Sequence, residues 1–228
     1  MTRMAKIMDV HEAVRSRHSV RQYLDRPIPE DIRTELIAET ERVNREGALN
    51  IQIFFDEPRA FDSILAKYGR FSGVSDYIAL VGQKAEDLDE KIGYFGERLV
   101  LLAQMLGLNT CWVAETYGKK RCRAKIGQNE KLVSVIALGY GATPGIPHKS
   151  KPMKILCNVE NDMPEWFVKG MEAAILAPTA MNLQRFFMER MENIVIAKST
   201  GIRYAQINLG IVKYHFEIGA GKENFSWG

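Results

Sequence analysis

One short stretch of the sequence concentrates side chains that could grip an anion. Residues 15–23 read RSRHSVRQY, a stretch that leaves a helix-like segment and contains three arginines, a histidine and two serines. If the chain is extended there, the alternate residues Arg17, Ser19 and Arg21 point the same way and offer two guanidinium groups and a hydroxyl to one ligand. The stretch therefore predicts a phosphate or other anion site, with a solvated basic surface as the alternative.

A second basic group occurs much later in the chain. His148, Lys149 and Lys151 lie in the stretch GATPGIPHKSKPMK, whose glycines and prolines predict an irregular crossing segment. A polar linker is the plain interpretation of this composition. An irregular basic segment late in the fold could also close over the same phosphate as the first cluster.

The signatures of other common chemistries are absent from the sequence. It has no GxGxxG after a strand, no GxxxxGK[ST], no HExxH and no GxSxG, and its four histidines have no ligand-like spacing. His215, in a helical pattern, is more typical of a packed side chain than of a base, and Cys111 in an apolar strand is typical of a core. We therefore predict neither a metal site nor a catalytic side chain.

One small pattern occurs twice. LNIQIFF at 49–55 and LAPTAMNLQRFF at 176–187 each place an Asn, one apolar residue and a Gln ahead of a short apolar run. Each follows a helix-like segment that begins Pro-Glu, at Pro29 and at Pro164, and each precedes a strand and a later long helix. The pattern indicates a partial internal duplication, with chance similarity of two helix–strand–helix segments as the alternative.

Hydrophobic periodicity and chain breakers predict helices and strands without regular βαβ spacing, which favours the α+β class. The predicted helices cover residues 8–17, 28–43, 61–69, 86–106, 118–127, 163–177 and 201–221. The predicted strands cover residues 50–55, 74–82, 109–115, 131–141, 182–187 and 193–198. The Gly/Pro-rich residues 141–154 then separate a first unit from a second one.

Composition bounds the kind of protein. The chain has 228 residues, 46% of them apolar, so it can bury a substantial core. Its net charge of +3 comes from 31 basic and 28 acidic residues, which is too balanced for a nucleic-acid or membrane surface. The three cysteines have no pairing pattern, the N-terminus lacks an apolar signal core, and no apolar run reaches about 18 residues. We expect a cytoplasmic protein that binds neither nucleic acid nor a membrane.

Four motifs in order resemble the FMN-dependent nitroreductase family. They are the early RxSxR, the long apolar helix that runs into GLNTCWVA, the strand VSVIALGYG and the late KSK. The C-terminal part resembles the TM nitroreductase branch, in which a second helix carries a Pro-Ser/Thr turn and an Asn-x-Gln. The resemblance implies a mixed, mainly antiparallel central sheet flanked by helices, with a pseudo-duplicated C-terminal helix–strand–helix unit. It divides the chain into a core, residues 1–155, and an interlocked repeat unit, residues 156–228, that completes the flavin site.

The resemblance also implies which residues hold FMN. The N-terminal motif would hold the phosphate and the pyrimidine edge of the ring through Arg17, His18, Ser19 and Arg21. A late basic pair that also reaches the phosphate corresponds to Lys149 and Lys151. The loop beside the isoalloxazine ring corresponds to Ala114 and Glu115. The family favours Gly in that loop, so Glu115 is a departure that affects the shape of the pocket.

A further departure concerns the repeated Asn. In the dimers of this family, a Pro-Ser-x-x-Asn-x-Gln turn reaches the flavin of the other subunit. Residues 45–52 keep only Asn50 and Gln52 of that turn, whereas the second unit carries all of it and implies flavin contacts from Pro178, Thr179, Ala180 and Asn182. We infer that the C-terminal unit replaces part of a partner subunit, so that the protein is a monomer with an internal pseudo-dimer, or a homodimer.

The implied activity is a ping-pong transfer of reducing equivalents. NADH or NADPH would reduce FMN and leave, and an electron-poor small molecule such as a nitroaromatic or a quinone would then be reduced. The cofactor carries this chemistry, which agrees with the lack of an obvious catalytic side chain. Three alternatives stay open: a nitroreductase-fold enzyme for a specific metabolite, a flavin-binding protein without turnover, and nucleic-acid binding by the basic clusters.

Overall fold

The structure is a computed structural model that describes residues 8–158 and 162–228. Residues 1–7, part of the N-terminal stretch that was expected to lack a signal core, lie outside the described residues. The α-helices are α1 (Val10–Ser16), α2 (Glu30–Gly47), α3 (Ile64–Tyr68), α4 (Leu88–Met105), α5 (Met153–Leu156), α6 (Glu165–Ile175) and α7 (Ala205–Ala220). The strands are β1 (Gln52–Phe54), β2 (Asp76–Gln83), β3 (Asn109–Val113), β4 (Glu130–Gly139), β5 (Phe186–Met191), β6 (Ile194–Ser199) and β7 (Ser226–Trp227).

The centre of the molecule is a four-stranded antiparallel sheet in the order β1-β2-β4-β3. Alternate residues of β2 enter two different core clusters, because successive side chains of a strand point to opposite faces. Tyr77 and Ala79 pack into one cluster, and Ile78 and Leu80 pack into another with residues of α2 and α4. Both faces of β2 are thus buried, which explains why its sequence is almost continuously apolar.

Helices α4 and α7 cross at a very short distance. A Cβ on Gly93 of α4 would come within 2.1 Å of the carbonyl oxygen of Ile207. A Cβ on Gly210 of α7 would come within 2.0 Å of the carbonyl oxygen of Glu90. Only glycine fits at both places, so these two residues allow the C-terminal helix to pack directly on the central helix of the core.

The last third of the chain builds its own cluster around a small sheet in the order β5-β6-β7. Helix α7 packs on α6 as well as on α4. Aromatic rings join α6, α7 and the last strand: Phe216 lies 5.6 Å from Phe167 and 5.2 Å from Phe225, and Phe225 lies 4.9 Å from Trp227. These contacts tie the C-terminal residues to α7, and α7 ties them to the core.

The predicted α+β class and the mainly antiparallel central sheet are confirmed. The helix predicted over residues 118–127 is wrong, because only a single 3-10 turn, Lys119–Arg121, forms there. The apolar residues Cys122 and Ala124, which pack on a core cluster, are two positions apart, a spacing that suits an extended chain and does not place them on one face of a helix. Lys125 of this segment exchanges two backbone hydrogen bonds with the side chain of Gln52, at 2.7 and 2.9 Å.

Two short elements, α5 and β7, were not predicted from the sequence. The strand expected at residues 50–55 is shorter, since β1 covers Gln52–Phe54. Helix α1 begins as predicted, with the Asp9 side chain accepting a hydrogen bond from the Glu12 amide at 2.8 Å.

Among the described helices, none has both the length and the apolar composition that crossing a bilayer requires.

Candidate active site

A two-part cavity lies where the segment after α1, the loop after β3, the turn before β5 and the first half of α7 meet. Its parts measure about 310 and 510 Å³. Both parts are lined by Ser19, Arg21, Pro178, Thr179 and Met181, so they adjoin each other. We call the first part the apolar compartment; it is also lined by Cys111, Trp112, Ala114, Ser134 and Ile207. We call the second part the basic compartment; it is also lined by Arg17, His18, Arg70, His148 and Asn182.

The N-terminal cluster reaches the cavity because the chain becomes extended after α1. Ser19 forms a bridge with Thr110 of β3, and the Val20 amide donates to the Thr110 carbonyl at 3.0 Å. Val20 is buried in the core while Ser19 and Arg21 are exposed towards the cavity. All four residues of the predicted anion motif, Arg17, His18, Ser19 and Arg21, line the basic compartment.

The basic compartment is a site for negative charge. Three arginines line it, Arg17, Arg21 and Arg70. None of the described residues that line it is acidic. Arg17 is only 4% exposed, and its Nε has no hydrogen-bond partner. Burial lowers the pKa of the Arg17 guanidinium, against the attraction of Glu97. A buried cation without a hydrogen bond is costly, so an anion in this compartment would be strongly favoured.

His18 and His148 add polar groups to the same compartment. Partial burial, the positive charge of Arg17 and the proximity of His148 lower the pKa of His18. His148 places its Nε2 at 3.0 Å from the carbonyl oxygen of Ile175, at the end of α6. His18 can therefore serve as a hydrogen-bonding group that does not need to carry charge.

The predicted late basic pair does not line the cavity. Lys151 is turned towards the C-terminal unit, where its amide donates to the Gln184 side chain at 2.7 Å and its Nζ donates to the Gln184 carbonyl at 3.1 Å. Lys149 is exposed, and its carbonyl accepts a hydrogen bond from Asn182 at 2.9 Å. The crossing segment contributes instead through His148, Thr143, Gly145 and Ile146.

The loop after β3 carries Ala114 and Glu115 into the lining of the apolar compartment, as the sequence predicts. Glu115 forms an ion pair with Arg203 of the C-terminal unit. The hydrogen bond from Tyr204 and the neighbouring Arg203 hold the pKa of Glu115 below its usual range. Glu115, which stands where the family favours Gly, is thus paired with Arg203 in the segment that precedes α7.

The turn before β5 lies across both compartments through Pro178, Thr179 and Met181, and Ala180 lines the apolar one. The Ala180 amide donates to the Asn208 side chain of α7 at 2.9 Å. The Thr179 hydroxyl accepts a hydrogen bond from the Gln184 amide at 3.0 Å. These bonds hold the turn on α7, which explains why it faces the cavity. Asn182 lines the basic compartment but donates its side-chain N–H to Lys149.

Several lining residues were missed by sequence reasoning. Arg70 follows α3 in a left-handed conformation, φ 62°, and nothing around it in the sequence marks it as a ligand. Arg185, Arg203 and Asn208 come from the C-terminal unit and line the apolar compartment. They stand alone in ordinary strand and helix patterns, so only the fold brings them to the cavity.

The central antiparallel sheet, the helices around it and a basic cavity beside the N-terminal segment define a protein of the nitroreductase class. The family model described as "Putative TM nitroreductase" matches residues 9–220, and the chain belongs to this family. The family predicted from the sequence is thereby confirmed. No protein of curated function matches the chain.

Solved structures share the fold. A "putative nitroreductase" from Thermotoga maritima is 24% identical and superimposes with a TM-score of 0.71, covering 98% of this chain and 88% of its own. A "putative nitroreductase in complex with FMN" from Desulfovibrio desulfuricans is 19% identical with a TM-score of 0.54, covering 70% of this chain and 100% of its own. The second structure is matched over its full length, so part of this chain has no counterpart in it.

Proposed function

We propose that the protein is an FMN-dependent oxidoreductase that passes reducing equivalents from NADH or NADPH to an electron-poor small molecule. Family membership supports an oxidoreductase, and a structure with the same fold was solved in complex with FMN. When bound, FMN would supply the redox chemistry, taking electrons from the nicotinamide in one half-reaction and delivering them to a nitroaromatic or quinone in the next.

The cavity fits both ends of FMN. Its volume lies in the range of small-molecule sites, about 300–1,000 Å³. The basic compartment suits a phosphate, and the observation that carries the proposal is the buried Arg17, whose Nε lacks a partner. The apolar compartment offers Trp112, Pro178 and Ile207 as surfaces for a planar ring.

The chain's own residues would bind and orient the cofactor. Arg17, Arg21 and Arg70 would hold the phosphate, with His18, His148 and Ser19 as neighbouring hydrogen-bonding groups. Arg21, together with Arg185 from the C-terminal unit, adds positive charge at the apolar compartment, which favours electron transfer into a bound ring. No acid–base side chain is required for this reaction.

The C-terminal unit, residues 156–228 in our division of the chain, would complete the site that a second subunit completes in related dimers. Supporting this role, the turn at Pro178–Asn182 lies against both compartments and α7 lines the apolar one. The protein would then be a monomer with an internal pseudo-dimer, or a homodimer through another surface. A reducing cytoplasm is the compartment we propose, since Cys111, Cys122 and Cys157 are free thiols.

The absorption spectrum of the purified protein, before and after addition of FMN, tests the proposal. We expect flavin bands that persist through gel filtration and bleach when NADH or NADPH is added without oxygen. Menadione or a nitrofuran should then restore the bands and sustain nucleotide oxidation. A protein that stays colourless after FMN addition would overturn the proposal, and salt-dependent binding to RNA or DNA would then favour nucleic-acid binding.

A second outcome separates the enzyme from a flavin-binding protein. Bound yellow flavin that neither nucleotide reduces would favour binding without turnover. Bound flavin that is reduced, but that passes electrons to neither acceptor, would favour a nitroreductase-fold enzyme with one specific metabolite.

A further inference from the structure

A carboxylate lies fully buried behind the cavity. Glu97 of α4 has no solvent exposure, and side chains from three other elements surround it. The Trp112 indole of β3 donates to its Oε2 at 2.8 Å, and His215 of α7 lies with Nε2 at 2.9 Å from its Oε1. Arg17, at the end of α1, lies with Nε at 4.0 Å from the same Oε1.

The hydrogen bonds of His215 determine the charge of this group. Its Nδ1 lies 3.1 Å from the carbonyl oxygen of Ala173, which can only accept, so Nδ1 carries a proton. Its Nε2 faces a carboxyl oxygen, and this contact also needs one proton between the two atoms. Whether that proton sits on His215 or on Glu97, the pair as a whole is neutral.

The charge of Arg17 is therefore not cancelled by Glu97. Both carboxyl oxygens are already engaged in hydrogen bonds, Oε2 with Trp112 and Oε1 with His215. Within the described residues the Arg17 guanidinium donates no hydrogen bond, and the residue lines the basic compartment. Without His215, the Glu97 carboxylate would be the natural partner of this guanidinium, since a buried carboxylate and a buried cation pair strongly.

We propose that His215 is a positioning residue for the anion end of the cavity: by neutralising Glu97 it keeps the Arg17 guanidinium free for the anionic group of the ligand. This inference rests on the proposed FMN site. It gives the C-terminal unit a second contribution, since α7 would set the charge of a compartment that its own side chains do not line.

Two variants with opposite consequences test the proposal. In His215→Gln the new side chain can still donate a hydrogen bond to Glu97, but it cannot supply the proton that neutralises the carboxylate. The Ala173 carbonyl keeps its hydrogen bond from the Leu176 amide, at 3.0 Å. Glu97 then stays ionised and competes for Arg17. FMN affinity should fall roughly tenfold, as expected for one unit charge near a partly shielded phosphate. The affinity for riboflavin, which has no phosphate, should stay the same.

The double variant Glu97→Gln with His215→Gln provides the rescue. With no carboxylate to neutralise, His215 becomes unnecessary, and FMN affinity should return to within about twofold of the wild-type value. Both affinities are measured by quenching of flavin fluorescence in titrations of the apoprotein. Thermal unfolding of each apoprotein in inorganic phosphate gives a second readout, and phosphate should stabilise the wild type and the double variant more than His215→Gln.

The outcomes separate the two proposals. Wild-type protein that binds neither FMN nor riboflavin would contradict the proposed function, while the phosphate series would still test the role of His215. Wild-type preference for FMN over riboflavin, combined with equal loss of both ligands in His215→Gln, would overturn the positioning role and leave a packing role. A double variant that binds FMN no better than His215→Gln would overturn it as well.

Discussion

Two turns of this molecule share the same Asn-x-Gln pattern and use it in the same way. In the first, the Asn50 side chain donates to Glu130 at 2.9 Å, and Gln52 exchanges hydrogen bonds with the backbone of Lys125. In the second, the Asn182 side chain donates to the carbonyl of Lys149, and Gln184 accepts from the amide of Lys151. Each Asn-x-Gln therefore fastens a distant irregular segment to the beginning of a strand.

The difference between the turns lies in what surrounds this fastening. Gln184 is 1% exposed, whereas Gln52 is half-buried and bonds to the exposed Lys125. The second turn also adds Pro178, Thr179 and Ala180, which lie against the cavity. The Asn-x-Gln pattern is thus a structural clamp that holds a distant segment by hydrogen bonds. In the second turn, the neighbouring residues Pro178, Thr179 and Ala180 are what reach the candidate site. The proposed flavin contact belongs to the turn more than to the Asn182 amide, which is already bonded.

The largest difference is expected at the two glutamines. Gln184→Ala would remove the two hydrogen bonds that this buried side chain forms with the Lys151 amide and the Ile175 carbonyl, at 2.7 and 2.8 Å. We expect a loss of about 1–3 kcal/mol in the free energy of unfolding, since each of the two hydrogen bonds contributes about 0.5–1.5 kcal/mol. Gln52→Ala should cost about 1 kcal/mol or less, because water can replace its exposed bonds. Urea unfolding measures both values, and similar losses would mean that the two clamps are equivalent.

An intermediate effect is expected at the two asparagines. Asn182→Ala removes the bond to Lys149 and loosens the crossing segment that brings His148 and Gly145 to the basic compartment. FMN affinity should fall about fivefold, which corresponds to the net value of one hydrogen bond, about 1 kcal/mol. Asn50→Ala is the matched control, because Asn50 does not line the cavity, and it should leave FMN affinity unchanged. Equal losses in the two titrations would remove the distinction between the turns.

What could be predicted from the sequence is the part of the site that depends on neighbours along the chain. The alternation of Arg17, Ser19 and Arg21 after a helix was enough to place them on one cavity, because an extended segment fixes the direction of its side chains locally. The same motif could not show that Arg17 is buried beside Glu97, since that contact depends on how α1, α4 and α7 pack. Arg70 was missed for the same reason.

Two differences between the expected and the observed positions have a common physical cause. Residues 118–127 are rich in Lys and Arg, which are good helix formers, but local propensity is weak, and Cys122 and Ala124 pack on the core with the spacing of an extended chain. Lys149 and Lys151 have the right charge for a phosphate, yet they bond to Asn182 and Gln184 and neither lysine lines the cavity. In both cases composition was informative, and a hydrogen bond to a distant side chain decided the outcome.

The smallest difference is expected at left-handed residues that both turns contain. Ala48 has φ 52° and Met181 has φ 54°, a conformation that costs a non-glycine residue about 1 kcal/mol. Ala48→Gly and Met181→Gly should each raise the free energy of unfolding by about 0.5–1 kcal/mol. Only Met181→Gly should also weaken FMN, by about twofold, because Met181 lines both compartments and its apolar contact would be lost. If both variants become more stable and both keep wild-type FMN affinity, the second turn is no more a part of the cofactor site than the first.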